Sequence, residues 1–295
     1  MGLSLRGTGV ALVTPFNAKK ELDLVGLGKL LEHTQNYVDF WVVHGTTGES
    51  VTTNRREKQA VVDFIKANNR NSLPLVYGLG GNSTIQILEF LQDLNTDGID
   101  AFLSVSPYYN KPTQEGIYRH YMSFADASPK PIILYNVPAR TGSNMSAETT
   151  LKLAQHPNII GIKEASGDIQ QCMHIIKNKP KDFVLFAGDD ALTVPLIALG
   201  AVGVIAVMAN VFPKTFTEMT DLALEGKFEA AKNKMFELLD ANALMFAEGN
   251  PVGVKQALAL SGVCSSYVRL PLVEASEQLK ARMSKIIETL VESAI

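Results

Sequence analysis

The stretch IIGIKEASGD, from Ile159 to Asp168, sets Lys163 inside a run of isoleucine, glycine and alanine that reads as a buried strand. The same grammar recurs along the chain as TGVALVTP, FWVVHG, LPLVYGL, AFLSVSP, PIILYNVP, FVLFAGD and GVIAVMA. Strands of a parallel sheet are covered on both faces, so they read as nearly continuous apolar runs and not as alternating ones. Between them lie segments with helical periodicity, such as REKQAVVDFIKANN and NSTIQILEFLQDLNTDG. Eight strands alternating with helices predict an α/β chain folded as a (β/α)8 TIM barrel. An open doubly wound sheet of the dinucleotide-binding kind would need a GxGxxG turn. None is present, and GLGG at Gly78–Gly81 reads as a strand-end turn. After Phe212 the pattern is helical only, with Pro251 suited to a first helical turn. The expected organisation is a barrel domain over residues 1–224 and a C-terminal helical appendage over 225–295.

Composition excludes several classes of function. The 295 residues are 46% hydrophobic and 19% charged, as in an ordinary globular protein, and 27 basic against 30 acidic side chains give a net charge of -3. The basic stripe that neutralises phosphates is missing, so no nucleic-acid partner is expected. Cys172 and Cys264 have no metal-ligand spacing and read as buried thiols of a reducing compartment. MGLSLRG lacks an apolar signal core, and Arg6 stands where a myristoylation motif would need Ser or Thr, so a cytoplasmic protein is expected. Residues 191–213 carry no charge, yet Pro195, Gly200, Gly203 and Asn210 divide them into a short buried helix near Leu192–Leu199 and a strand. No membrane span is expected.

In this fold the reactive groups sit at the C-terminal ends of strands and in the loops that follow. The polar residues there are Thr14, Gly45–Glu49, Tyr108, Tyr109, Tyr135, Arg140, Lys163 with Glu164, and Asp189 with Asp190. A lysine buried without a partner lowers its pKa and becomes an amine able to attack a carbonyl carbon. The alternative is a lysine turned outward onto a glutamate. Side chains alternate across a strand, so Glu164 should point opposite to Lys163. Tyr135 ends the fifth strand, beside Lys163, where its phenol could exchange protons; the plain alternative is a core tyrosine. Arg140, in a loop with Pro138 and Gly142, suits bidentate binding of a carboxylate, or is a loose surface arginine. GTTGE offers two hydroxyls and backbone N–H groups to an anion. His44 reads as a strand-end histidine bonded to backbone, and Asp189 and Asp190 as helix N-caps. No cluster with metal-ligand character stands out.

GTTGE at 45–49, PYYNKPTQEG at 107–116, YNVPARTG at 135–142, GIKEASGD at 161–168 and GDD at 188–190 together resemble the dihydrodipicolinate synthase family, within the N-acetylneuraminate lyase superfamily of class I aldolases. The resemblance runs in order over nearly the whole chain. It implies a carbon–oxygen lyase that condenses pyruvate, bound to Lys163 as a Schiff base, with L-aspartate-4-semialdehyde at the first committed step of diaminopimelate and lysine biosynthesis. The imine is the electron sink, so the resemblance implies neither metal nor organic cofactor. Tyr135 matches the acid and base at the imine, and Thr46 and Tyr109 its partners in a proton relay. Thr47 matches a contact to the pyruvate carboxylate, Arg140 the residue that holds the semialdehyde carboxylate, and Gly188 and Ile205 the pocket wall. In the family the relay tyrosine crosses from a neighbouring subunit, implying a tight dimer and, usually, a homotetramer built as a dimer of dimers.

One departure is informative. Ser50, Asn82 and Tyr108 match parts of the lysine effector pocket of inhibited relatives, whereas two histidines and a glutamate of that pocket correspond to Arg55, Lys58 and Gln86. Added cations and a lost anion disfavour a cationic ligand, so weak or absent inhibition by lysine is expected. The sister sugar-acid lyases share the barrel and its lysine, but the RTG after YNVPA supplies a carboxylate clamp suited to the semialdehyde. A non-catalytic barrel would be expected to have lost Lys163, Tyr135, Thr46 or Tyr109.

Overall fold

The computed structural model describes Leu3 and residues 5–292. Its strands are β1 (Gly7–Ala11), β2 (Phe40–Val43), β3 (Leu75–Gly78), β4 (Ala101–Val105), β5 (Ile132–Asn136), β6 (Ile159–Glu164), β7 (Val184–Ala187) and β8 (Gly203–Ala206). They pair in parallel in chain order, and β8 closes on β1, giving the expected eight-stranded barrel. The helices are α1 (Leu24–Thr34), α2 (Arg55–Asn68), α3 (Thr84–Asp93), α4 (Gln114–Ala127), α5 (Pro138–Thr141), α6 (Ala147–Leu153), α7 (Ile169–Asn178), α8 (Thr193–Leu199), α9 (Pro213–Leu224), α10 (Phe228–Phe246), α11 (Val252–Leu260) and α12 (Glu277–Glu292).

Alternation along each strand divides the core in two. Trp41, Val43, Ile132, Leu134, Ile162 and Val204 face the helices, while Phe40, Val42, Ile133, Tyr135, Phe186 and Ile205 fill the barrel interior. The Phe40 and Phe186 rings meet inside the barrel at 5.6 Å, edge to face. Gly9 makes room for them: a Cβ there would lie 2.2 Å from the Phe40 ring. The barrel is therefore a filled core, and the space beside its inward-facing residues opens at its rim.

Local chemistry sets the ends of elements. Asn54 and Glu57 form a capping box at the start of α2. The third helix stops at Asp93, short of the periodic stretch through Gly98, because Asn95 accepts from the Asp97 N–H and Gly98 adopts φ +77° in the turn into β4. Pro251 stands one position ahead of α11, as its N-cap residue and not in its first turn. Between β7 and β8 the uncharged segment folds as a short 3-10 turn and α8, as its breakers predict. Among the described residues no helix is long and apolar enough to cross a membrane.

The expected boundary at 224/225 falls between α9 and α10, which pack against each other. Apolar residues of α10, α11 and α12, such as Leu238, Leu258 and Leu279, join the same cluster as the barrel–helix layer. The last residues of the expected tail helix, 293–295, lie outside the described residues. Cys172 is buried and Cys264 half-buried; both are free thiols, pushed by burial up to about 12 and about 11 respectively.

Candidate active site

Register brings the predicted pair together: Tyr135 of β5 lies directly beside Lys163 of β6. Both side chains point into the barrel, and Lys163 Nζ sits 4.8 Å from the Tyr135 ring centre. Lys163 is 5% exposed and Tyr135 7%. Glu164 points the other way, as the alternation requires. Its buried carboxylate accepts from Asn136 Nδ2 at 3.1 Å, Gln171 Nε2 at 3.0 Å and the Ser166 N–H at 2.8 Å. Burial holds its pKa above the ordinary value, against these hydrogen bonds. The outward-facing alternative for the lysine is thereby removed: the outward position belongs to the glutamate.

Lys163 opens into a cavity of about 430 Å³ at the C-terminal rim. Thr46, Thr47, Tyr135, Arg140 and Gly188 share its wall. At Gly188 a Cβ would come within 2.7 Å of Ala165 Cβ and 2.8 Å of Glu164 O, so only glycine fits between β6 and β7 here. Thr47 is buried and its Oγ1 accepts from Asn250 Nδ2 at 2.9 Å. Arg140 is exposed at the mouth, its guanidinium 3.5 Å from the Asn250 carbonyl. Ile205 lies lower than expected. It is wholly buried in the barrel interior, and Val207, two residues on, forms that part of the cavity wall.

Tyr109 is the residue that the single chain leaves apart. It is 89% exposed, lies on a loop with φ +73°, and is absent from the cavity wall.

Asp190 corrects a sequence expectation. Asp189 does cap the 3-10 turn, accepting from the Ala191 N–H at 3.0 Å. Asp190 instead runs inward, fully buried, and accepts from the Val207 N–H at 2.9 Å and the Met208 N–H at 2.7 Å. Burial raises its pKa to about 6, opposed by these N–H groups and by the charge of Lys163. It fixes the backbone just past β8, where Val207 meets the cavity.

A second cavity of about 650 Å³ adjoins the first through Thr46, Tyr135 and Arg140. Ser50, Lys58, Asn82, Gln86 and Tyr108 line it. Arg55, expected among them, turns away: it pairs with Asp93 at 2.7 Å and stacks over Phe90. One added cation, Lys58, faces this space. His44 donates from Nε2 to Lys58 O, 3.1 Å away, as a strand-end histidine bonded to backbone. Burial and then the Lys58 charge lower its pKa to about 3, so it is neutral.

Asn242, Ala243 and Phe246 of α10, with Asn250, complete the wall of the Lys163 cavity, and sequence reasoning missed all four. Periodicity marks them as a helix and its end, with no sign that the segment covers a barrel mouth. Among the described residues no group of three His, Cys, Asp or Glu is placed to hold a metal ion.

A closed parallel barrel with a buried lysine and a neighbouring tyrosine at its rim defines a lyase of class I aldolase type. The chain belongs to the dihydrodipicolinate synthetase family, whose model matches residues 4–290. It is similar to the 4-hydroxy-tetrahydrodipicolinate synthase of Cytophaga hutchinsonii, 47% identical over 274 residues and 92% of each chain. Among solved structures it is similar to the chloride-inhibited dihydrodipicolinate synthase of Acinetobacter baumannii in complex with pyruvate. The two are 37% identical, with TM-score 0.93 and coverage of 98% and 99%. The Cyanidioschyzon merolae enzyme with lysine bound is 35% identical, with TM-score 0.93 and coverage of 97% and 98%.

Proposed function

We propose that the chain acts as a 4-hydroxy-tetrahydrodipicolinate synthase, condensing pyruvate on Lys163 with L-aspartate-4-semialdehyde. The observation that carries this reading is the convergence of Lys163, Tyr135, Thr46, Thr47, Gly188 and Arg140 on one cavity at the barrel rim. Imine formation needs an amine held against a carbonyl carbon in a site that limits water, and the rim of a filled barrel provides both. Lys163 Nζ adds to C2 of pyruvate, and loss of water from the carbinolamine leaves the iminium. Removal of a methyl proton gives the enamine, whose carbon bonds to the aldehyde carbon of the semialdehyde. The amino group of the adduct then attacks the imine carbon, closing the ring and freeing Lys163. The iminium accepts the electron pair throughout, so the reading invokes no metal or organic cofactor.

Tyr135 is placed to give and take the protons of imine formation, since its ring already borders Lys163. Thr46 continues the route toward the mouth, and Thr47 offers a buried hydroxyl to the pyruvate carboxylate. Arg140, exposed at the opening, suits the semialdehyde carboxylate. Gly188 forms the cavity wall near the imine, and Ile205 supports that wall from below. Tyr109 completes the relay from a second copy of the chain, which accounts for an exposed tyrosine held on a strained loop. The working unit is then a homodimer, in the homotetramer expected of the family, and its place is the cytoplasm.

The test is a coupled reductase assay of the native chain and of Lys163→Ala. Turnover by the native chain alone, with borohydride fixing pyruvate on Lys163, is the expected result. Pyruvate trapping with turnover of sugar-acid aldehydes, and none of the semialdehyde, would move the chain to the sister lyases.

A further inference from the structure

Thr46 and Thr47 stand on a loop whose backbone is strained at both ends. His44 has φ +55° and Glu49 φ +51°, left-handed values that non-glycine residues adopt at a cost. Inside the loop only the Gly48 N–H to Gly45 O and Glu49 N–H to Thr46 O bonds hold the turn. Such a conformation persists when neighbouring structure over-determines it; Thr14 Oγ1 donates to the Gly48 carbonyl at 2.7 Å, and the side chains of the loop are held by the C-terminal helical segment.

The Glu49 carboxylate is buried and points away from the cavity of Lys163. Lys255 of α11, with no exposed surface, donates from Nζ to Glu49 Oε1. The Arg269 N–H donates to Glu49 Oε2 at 3.0 Å. Lys255 is itself fixed by donation to Tyr267 O at 2.8 Å and by its position 4.1 Å over the Phe16 ring. Arg269 is held in turn by a bidentate pair with Glu57, at 2.6 and 2.9 Å. A second strut reaches the loop directly: Asn250, just before α11, donates to Thr47 Oγ1 and accepts from Arg140 through its carbonyl. Among the described residues, each side-chain hydrogen bond on Thr47 and on the Glu49 carboxylate thus comes from residues beyond 249.

We infer that Lys255, through its buried ion pair with Glu49, is a positioning residue that sets Thr46 and Thr47 for pyruvate, with Asn250 as its partner at Thr47. Neither end of the ion pair touches the Lys163 cavity wall through its charged group; the pair acts through the loop backbone. This inference rests on the proposed reading of Lys163 and its cavity. It makes the C-terminal helices part of the active site and not only a cover for the barrel.

The experiment compares Lys255→Met, Glu49→Gln and Leu279→Ala with the native enzyme. Leu279 is a buried α12 residue that takes no part in the hydrogen bonds to Thr47 or Glu49, so its truncation is the control for lost stability. Each variant is corrected for folded fraction, and pyruvate KM, kcat and the rate of borohydride-trapped imine formation are read. Lys255→Met is expected to raise pyruvate KM about tenfold or more and to slow imine trapping, in line with a misplaced contact group. Leu279→Ala should lower Tm while leaving those constants within about twofold. Glu49→Gln keeps the shape of the side chain and serves as the readout if Lys255→Met does not fold; it too should raise pyruvate KM. Unchanged constants in the folded Glu49 and Lys255 variants would overturn the inference and leave the pair purely structural. A native enzyme that neither traps pyruvate nor turns over would instead sink the functional reading.

Discussion

At Lys163 the decisive fact is direction. A lysine in an apolar strand could have faced the helices, but Glu164 takes that side with its own set of donors. Alternation told from the sequence that the two side chains point apart, and the structure decided which of them faces inward. What alternation could not supply was the distance to Tyr135, which needs the β5–β6 register. Lys163→Ala should lower turnover roughly a thousandfold or more, as loss of a covalent nucleophile does, without loss of the barrel's circular dichroism. Tyr135→Phe should cost roughly a hundredfold or more in kcat with an unchanged melting temperature. A fall of less than about threefold would remove the tyrosine from the proton path. Asp190 was misread as a cap because GDD followed by a helix looks like capping chemistry. Its real acceptor role lies with N–H groups seventeen and eighteen residues away.

Among elements, the α2–α3 side of the mouth and the α10–α11 corner behave differently. Lys58 of α2 and Gln86 of α3 face the larger cavity, while Arg55 leaves it for Asp93. A cation therefore already occupies the side of the space where an ammonium ligand would need an acceptor. Lysine should inhibit weakly or not at all, and half-inhibition at low millimolar lysine or below in the coupled assay would overturn this expectation. At the other corner, Lys255→Met strands the Glu49 carboxylate inside the protein. Removing one partner of a buried pair costs about 3–5 kcal/mol, comparable with the 2–5 kcal/mol or so of a buried Leu→Ala change. The two substitutions should lower the denaturant midpoint alike and differ only in kinetics. Lys255 was findable by the rule that found Lys163, a lone lysine in an apolar run, VGVKQALAL. Its partner was not, since no local pattern relates α11 to the loop after β2.

For the whole molecule, buried titratable groups set the response to acid. His44 and His120 are held neutral by burial, with pKa values lowered to about 3 and about 4. The unfolded chain takes up these protons first, so their contribution is complete above about pH 6.5 and is lost as pH falls below it. Asp190, raised to about 6, has the opposite sign: its contribution is complete below about pH 4 and lost as pH rises through 6. Between pH 6.5 and 5 each histidine loses about 2 kcal/mol and Asp190 regains about 1, so the melting temperature should fall on acidification. His44→Gln should flatten that fall, measured by calorimetry across the range. A second prediction concerns the assembly. Lys163→Ala and Tyr109→Phe should each be impaired alone, yet subunits mixed and reassembled should recover up to about a quarter of the native sites, because a two-fold hybrid contains one complete set. No recovery would place Tyr109 outside its neighbour's relay. By itself the sequence determined the eight strands, their parallel order and the opposite directions of Lys163 and Glu164, since these depend on apolar runs and on alternation between adjacent residues. Only the tertiary structure decided that Asn250 and Lys255 hold a loop 203 and 206 residues earlier in the chain. Closing the barrel and folding the last helices back over its mouth create those contacts, and no periodicity within either segment encodes the meeting.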